Sequence, residues 1–336
     1  MLSSAQLVDF ANNNGLPLWA IDASVALLLA LVVFAICGIG VIVLVYMERK
    51  VSADFQLRWG PMHVGWHGTL QLIADAVKLI SKEDIFPTYA DRWIFRLSPL
   101  LMFLPAYIGL MVIPIGPGLV IRDMNVGLLY ILAITSISVV GVIMSGFGSY
   151  NKYSMLGGMR SAAQMVSYEV PRALSIIGVI MIAGSAKLSS IVGAQSIWYL
   201  FLQPLGFMVF IVSTLAEVNR VPFDLPETES ELVNGYLNEY SGMRFMFFLF
   251  AEYIAFMGAA ALTVVLFLGG WHGPGPEFLG PIWFLIKMFA VIYVIMWVRW
   301  TLPRFRIDQV MDLGWKVLLP LALLNIFITG IVMLII

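Results

Sequence analysis

The sequence predicts an all-α integral membrane protein, with eight transmembrane helices plus an amphipathic interfacial helix in the first connection. Three observations carry that expectation. Of 336 residues, 61% are hydrophobic and 12% charged, about half the roughly 25% charge of a soluble domain. Mean hydropathy is +0.93. Runs almost free of charge, near the roughly 20 residues that cross a hydrocarbon core, recur along the whole chain. Such runs are helical, because a lone strand leaves backbone donors unpaired in lipid and barrel strands alternate apolar and polar residues. The formal charge of -1 without a basic tract excludes a nucleic-acid binder. The single Cys37 excludes a disulfide framework and an all-cysteine iron–sulfur site.

The spans are expected at 23–46, 97–115, 126–147, 161–186, 197–216, 245–268, 281–298 and 317–336. Ahead of the first, residues 1–19 hold no Lys or Arg, so they do not read as a cleavable signal. Pro99, Pro105 and Pro320 mark kinks or span starts. The charge-free part of the fourth span, 173–186, amounts to about 21 Å of helix, short of a core of about 30 Å. That span therefore begins earlier and draws Glu169, Pro171 and Arg172 into the membrane. Glu217 closes the fifth span, Glu252 sits about two turns into the sixth, and Lys287 lies in the seventh, where it is expected to snorkel outward. No internal repeat divides the chain as in many transporters, so residues 1–336 read as a single membrane domain.

Orientation follows from the cations. Sixteen of the 19 Lys and Arg residues fall on the side of the connections 47–96, 148–160, 217–244 and 299–316, while only Arg122 and Lys187 fall on the other. The positive-inside rule puts those four connections in the cytoplasm and both termini outside.

Chemistry concentrates on that side. Intramembrane carboxylates are costly and mark ion or proton pathways by default, which singles out Glu169, Glu217 and Glu252. The competing structural explanation is local ion pairing, Glu169 with Arg172 and Glu217 with Arg220; Glu252 has no cation near it in sequence. The connection 217–244 carries Glu217, Asp224, Glu227, Glu229, Glu231 and Glu239, against Arg220 alone in its first half. Two carboxylates about 6 Å apart, at an effective dielectric near 20, repel by about 3 kcal/mol, enough to bring one of them toward proton exchange near neutral pH. A solvated acidic loop docking on a basic partner explains the same composition. In the connection 47–96, Gln71, Asp75, Lys78 and Lys82 recur at spacings of 4, 3 and 4 with apolar residues between them, an amphipathic helix lying along the interface. It reads either as solvated surface or as the floor of an entrance for a lipid-like substrate. His63 and His67 lack a third ligand, and no histidine lies inside a span to ligate haem.

Three blocks resemble one family. Glu217-x-Asn219-Arg220-x-Pro222-Phe223-Asp224-Leu225-x-Glu227-x-Glu229-x-Glu231-Leu232, followed by Glu239-Tyr240-Ser241-Gly242, is similar to the signature of the H-type membrane subunit of respiratory complex I, the counterpart of mitochondrial subunit 1. Glu48-Arg49-Lys50, Gln56-x-Arg58-x-Gly60-Pro61, Leu70-Gln71-x-x-Ala74-Asp75-x-x-Lys78 and Lys82-Glu83 resemble that family's first cytoplasmic loop. Tyr153 to Gly157 and Arg160-x-x-Ala163-Gln164-x-x-Ser167-Tyr168-Glu169 resemble its second. The chain departs from the usual pattern at Ala53, Phe55, Met62 and Leu72.

The resemblance implies a quinone-binding, energy-coupling subunit of a proton-translocating NADH:quinone oxidoreductase in a bacterial inner membrane, without a redox centre of its own. Quinone is then the substrate, with iron–sulfur clusters and flavin in partner subunits of the hydrophilic arm, and further membrane-arm subunits and lipids as neighbours. It places Arg49, Gln56, Arg58, Asp75, Lys78 and Phe223 along a quinone tunnel. It places Glu169, Glu217, Arg220, Asp224, Glu227, Glu229, Glu231, Glu239 and Glu252 in a row of charges that relays quinone reduction toward proton pumping. The membrane anchor of an energy-converting hydrogenase, a stand-alone ion-coupled transporter and a purely structural anchor are the competing classes.

Overall fold

A computed structural model of the protein describes residues 18–225 and 232–335. Glu227, Glu229 and Glu231, and the reading of the first residues as no cleavable signal, lie outside the described residues. Among those described, regular structure is helical apart from one isolated bridge between Gly116 and Leu119.

Helix α1 runs Leu18–Phe55. The chain up to Val43 forms a unit of its own, in which Leu27, Leu28, Leu31 and Ile39 are each at least 60% exposed, the surface a helix presents to lipid. The second unit begins at Leu44. Its first turns prolong α1 nine residues past the expected span end at 46, because residues 47–55 contain neither Gly nor Pro to stop a helix. The chain then turns through Leu57 in the left-handed region (φ 51°). Helix α2 is Gln71–Ser81, with Leu72 buried and Ile73, Val77 and Ile80 exposed.

Helices α3 (Arg92–Met111) and α4 (Gly127–Gly148) pack closely. Asp91 caps α3 by accepting from the amides of Trp93 and Ile94, which satisfies donors that a helix start leaves open. Gly141 lets α4 approach the α3 backbone: a methyl there would lie 3.0 Å from the nitrogen of Met102. Helix α5, Lys152–Ala183, has 32 residues, about 48 Å of helix, and starts nine residues before the expected 161. Asn151 caps its start, and Gly184 (φ 66°) ends it in a left-handed turn. The expected connection 148–160 is thus mostly helix. Helix α5 packs on α4, and on two later helices, α8 and α12.

The fifth expected span, 197–216, is broken. Helix α6 (Leu188–Ala194) is followed by α7 (Tyr199–Leu202) and α8 (Pro204–Glu217). Gln203 leaves helical geometry (φ -132°, ψ 60°), and Pro204, which has no N–H, starts the new helix. Helix α8 has 14 residues, about 21 Å. Then come α9 (Gly242–Phe267), α10 (Gly280–Thr301), α11 (Ile307–Asp312), a π-helical turn at Leu313–Leu318 and α12 (Leu319–Ile335). Among the described residues, seven helices are long and apolar enough to cross a membrane: α1, α3, α4, α5, α9, α10 and the run Ile307–Ile335. The chain is a multi-pass, all-helical membrane protein. Lys287, on α10, extends to the connection that follows α9. Its ammonium donates to the carbonyls of Leu268 (2.7 Å), the C-cap of α9, and of Gly270 (3.1 Å) and His272 (2.5 Å) just beyond it.

Candidate functional site

Several charged side chains of the second unit come together inside the helical bundle. After α8 ends at Glu217, the chain folds back on α5. The Gln164 side-chain nitrogen lies 2.7 Å from the carbonyl of Ala216, 3.0 Å from the amide oxygen of Asn219 and 2.7 Å from the carbonyl of Phe223. Asn219 adopts a left-handed backbone (φ 52°), tolerated by Asn, and donates to Ser161 at 3.3 Å. The bond between Val221 and Pro222 is cis. Phe223, 2% exposed, packs between Tyr168 and Phe305 at ring distances of 5.3 and 5.8 Å. Arg304 binds Asp224 at 3.1 Å.

This brace aims Arg220 into the bundle, where it meets two carboxylates. It contacts both oxygens of Glu48 at 3.2 Å and Glu252 at 3.0 Å. Tyr253 donates to Glu48 at 3.1 Å, and Arg299, at the end of α10, also pairs with Glu48. The guanidinium of Arg220 lies 4.7 Å from the Tyr253 ring centre and 5.4 Å from that of Phe256. Burial works against its charge, but Glu252 and Glu48 outweigh that and hold its pKa well above the ordinary arginine value. Three helices, α10, α1 and α9, and the turn after α8 thus present an alternating row: Arg299, Glu48, Arg220, Glu252.

A second pair lies beside it. Arg172 on α5 pairs with Glu217 on α8 and donates to Thr135 at 3.0 Å. Ser136 donates to Glu169. The expected local pair of Glu217 with Arg220 does not form: helix packing sets Glu217 against Arg172, while the turn after α8 carries Arg220 away toward α1 and α9. Glu252, which has no cation near it in sequence, acquires Arg220 from the turn after α8. A cavity of about 80 Å³ is lined by Thr135, Arg172, Glu217, Asn219 and Glu252 among apolar residues of α3, α4 and α9. That volume and those polar atoms suffice for several waters.

The remaining expected residues divide into groups. Arg49 and Asp75 pair at 2.7 Å across the first connection, with Gln71 donating to Asp75 at 3.1 Å. Arg58 donates to Gln56 at 2.5 Å. Lys78 is exposed. Glu239 stands apart from the buried row and accepts from Asn151 at 2.6 Å. Sequence reasoning did not single out Glu48, Arg172, Arg299 and Arg304 as site residues. The available signal was a charge at the very end of an apolar span, present at Glu48 and Arg299 alike. Among the described residues no group of three or more His, Cys, Asp or Glu side chains could hold a metal.

Comparison with known proteins shows the family. A family model described as NADH dehydrogenase matches residues 27–330. The chain is 47% identical over 341 residues to the first H-type subunit of the NADH-quinone oxidoreductase of Geobacter sulfurreducens, covering 95% of this chain and 97% of the relative. It is equally close, at 47% over 341 residues, to the second H-type subunit of the Geobacter metallireducens enzyme. It is 50% identical over 311 residues to the H-type subunit of the NADH-quinone oxidoreductase of Bacillus thuringiensis, covering 91% and 92%. The chain belongs to the NADH dehydrogenase family of H-type subunits, membrane components of the proton-translocating NADH-quinone oxidoreductase, complex I.

Proposed function

We propose that this chain receives quinone from the bilayer and relays its reduction toward proton pumping through the buried row of charges. The observation that carries the reading is the shared Arg220. One guanidinium joins Glu48, next to Arg49 on the α2 side, to Glu252, which lines the internal cavity with Glu217. Quinone reduction takes up protons and changes charge. A change at Arg49 or Glu48 alters how strongly Arg220 is held by Glu252, and through it the proton affinity of the carboxylates around the cavity. Arg49, Gln56, Arg58, Asp75, Lys78 and Phe223 are the residues proposed along the quinone path. Glu169, Glu217, Asp224 and Glu252 are those proposed to exchange protons or steady the ones that do.

In this reading α7 and α8 together form an eighth, interrupted crossing, and α2 lies along the interface with its exposed Ile73, Val77 and Ile80 toward lipid. The four charged connections then face the cytoplasm and carry the hydrophilic arm, whose chains hold the flavin and iron–sulfur clusters, and both termini lie outside.

The test uses inverted membrane vesicles carrying Glu217→Gln or Glu252→Gln in the assembled complex. Quinone reduction and acidification of the lumen are measured together. Proton uptake per quinone reduced is expected to fall by at least about half; an unchanged ratio in both variants refutes the relay.

A further inference from the structure

Outside the buried row, the turn before α3, the start of α5 and the segment before α9 enclose an open groove of about 330 Å³. Its residues include Tyr89, Tyr150, Asn151, Lys152, Tyr153 and Glu239. Three neighbouring tyrosines are exposed here: Tyr89 by 79%, Tyr150 by 74% and Tyr153 by 55%. Tyr150 holds a left-handed backbone (φ 52°) that is strained for an aromatic residue, and its ring lies 5.9 Å from that of Tyr89. Strain and bare aromatic surface are both costly, and they coincide at one spot.

The carboxylate beside the rings is fixed. Asn151 accepts from the Tyr153 amide at 3.0 Å as the cap of α5, while its side-chain nitrogen donates to one oxygen of Glu239 at 2.6 Å. The other oxygen of Glu239 makes no hydrogen bond or ion pair among the described residues, and Lys152, exposed on the rim, makes none with it either.

A held carboxylate among open phenol rings is the chemistry that recognises a planar cation: the guanidinium stacks on the rings and forks onto the free oxygen. We propose that this groove is a docking socket for an arginine side chain projecting from a hydrophilic chain of the complex. A protein occupant is favoured because the groove is built from the connections 47–96, 148–160 and 217–244, the side that carries most of the chain's charge and is proposed above to bear the hydrophilic arm. The inference rests on that assignment of sides but not on the relay.

The experiment places photoreactive benzoylphenylalanine at Tyr150 in the intact complex, with a matching probe at Phe278, which is 77% exposed on the opposite side. After irradiation, mass spectrometry is expected to find the Tyr150 adduct on a hydrophilic chain within a few residues of an arginine, and no such adduct from Phe278. Glu239→Gln, which keeps the shape, is expected to lower the salt concentration that strips the hydrophilic arm at least twofold, and substituting that arginine should do the same. An adduct on lipid, an adduct on another membrane chain, no protein adduct from Tyr150, or an unchanged stripping concentration in Glu239→Gln would each overturn the socket. None of these results bears on the proton-to-quinone ratio, so socket and relay fail separately.

Discussion

Arg220 binds two carboxylates at once, which makes its removal the sharpest perturbation available. In Arg220→Met the volume is nearly kept while Glu48 and Glu252 lose their common cation. At 3.2 and 3.0 Å and an effective dielectric of about 20, each attraction is about 5 kcal/mol before desolvation is counted. Arg299 and Tyr253 remain on Glu48, whereas Glu252 is left with no charged partner among those contacts. Breaking a buried pair in this way costs about 3–5 kcal/mol. With an unfolding entropy of about 2.1 cal/mol/K per residue, a chain of 336 residues gives about 0.7 kcal/mol/K, so the apparent Tm should fall by about 4–7 °C. The assay is thermal denaturation of the purified complex, followed by loss of this subunit from the assembly on native gels. Glu252→Gln should cost less alone, since Arg220 keeps Glu48. In the double variant the Met no longer faces a stranded charge, and the loss should fall short of the sum by at least about 1 kcal/mol. Unchanged melting in Arg220→Met, or strict additivity with Glu252→Gln, would show that the row is not an energetic unit.

Two further outcomes are expected. Gly157→Ala would put a methyl 2.6 Å from the Cα of Gly235, where two backbones touch, so it should destabilise by about 1–3 kcal/mol and expose the segment 235–237 to protease; equal proteolysis of both forms would count against that contact. Arg49 and Asp75 are 42% and 34% exposed, so their ion pair adds at most about 1 kcal/mol of stability. Arg49→Ala should therefore assemble normally yet raise the KM for quinone several-fold, and an unaltered KM would remove the pair from the quinone path.

Hydropathy made most of the architecture legible, because a membrane demands long apolar helices and little else can satisfy the backbone there. It failed where the chain meets other helices instead of lipid. The break at Gln203 is invisible to hydropathy, since its neighbours stay apolar; the structure shelters Gln203 by letting it donate to Thr329 at 2.9 Å. Charged ends of spans were found, but their pairing was not. Glu217 and Arg220 are three apart in sequence and would share a face if the helix continued. The helix ends between them, and the left-handed Asn219 redirects the chain. Pairing of Arg172 with Glu217, or of Arg220 with Glu48, 172 residues away, depends on which helices are neighbours, and one-dimensional spacing holds no record of that.

The amide of Gln164 is oversubscribed. Its nitrogen owns two protons, yet three oxygens from the strap bearing Arg220 crowd within 3.0 Å of it. At least one of those protons must therefore be shared between two acceptors. One buried side chain thus ties three points of the segment bearing Arg220 to α5.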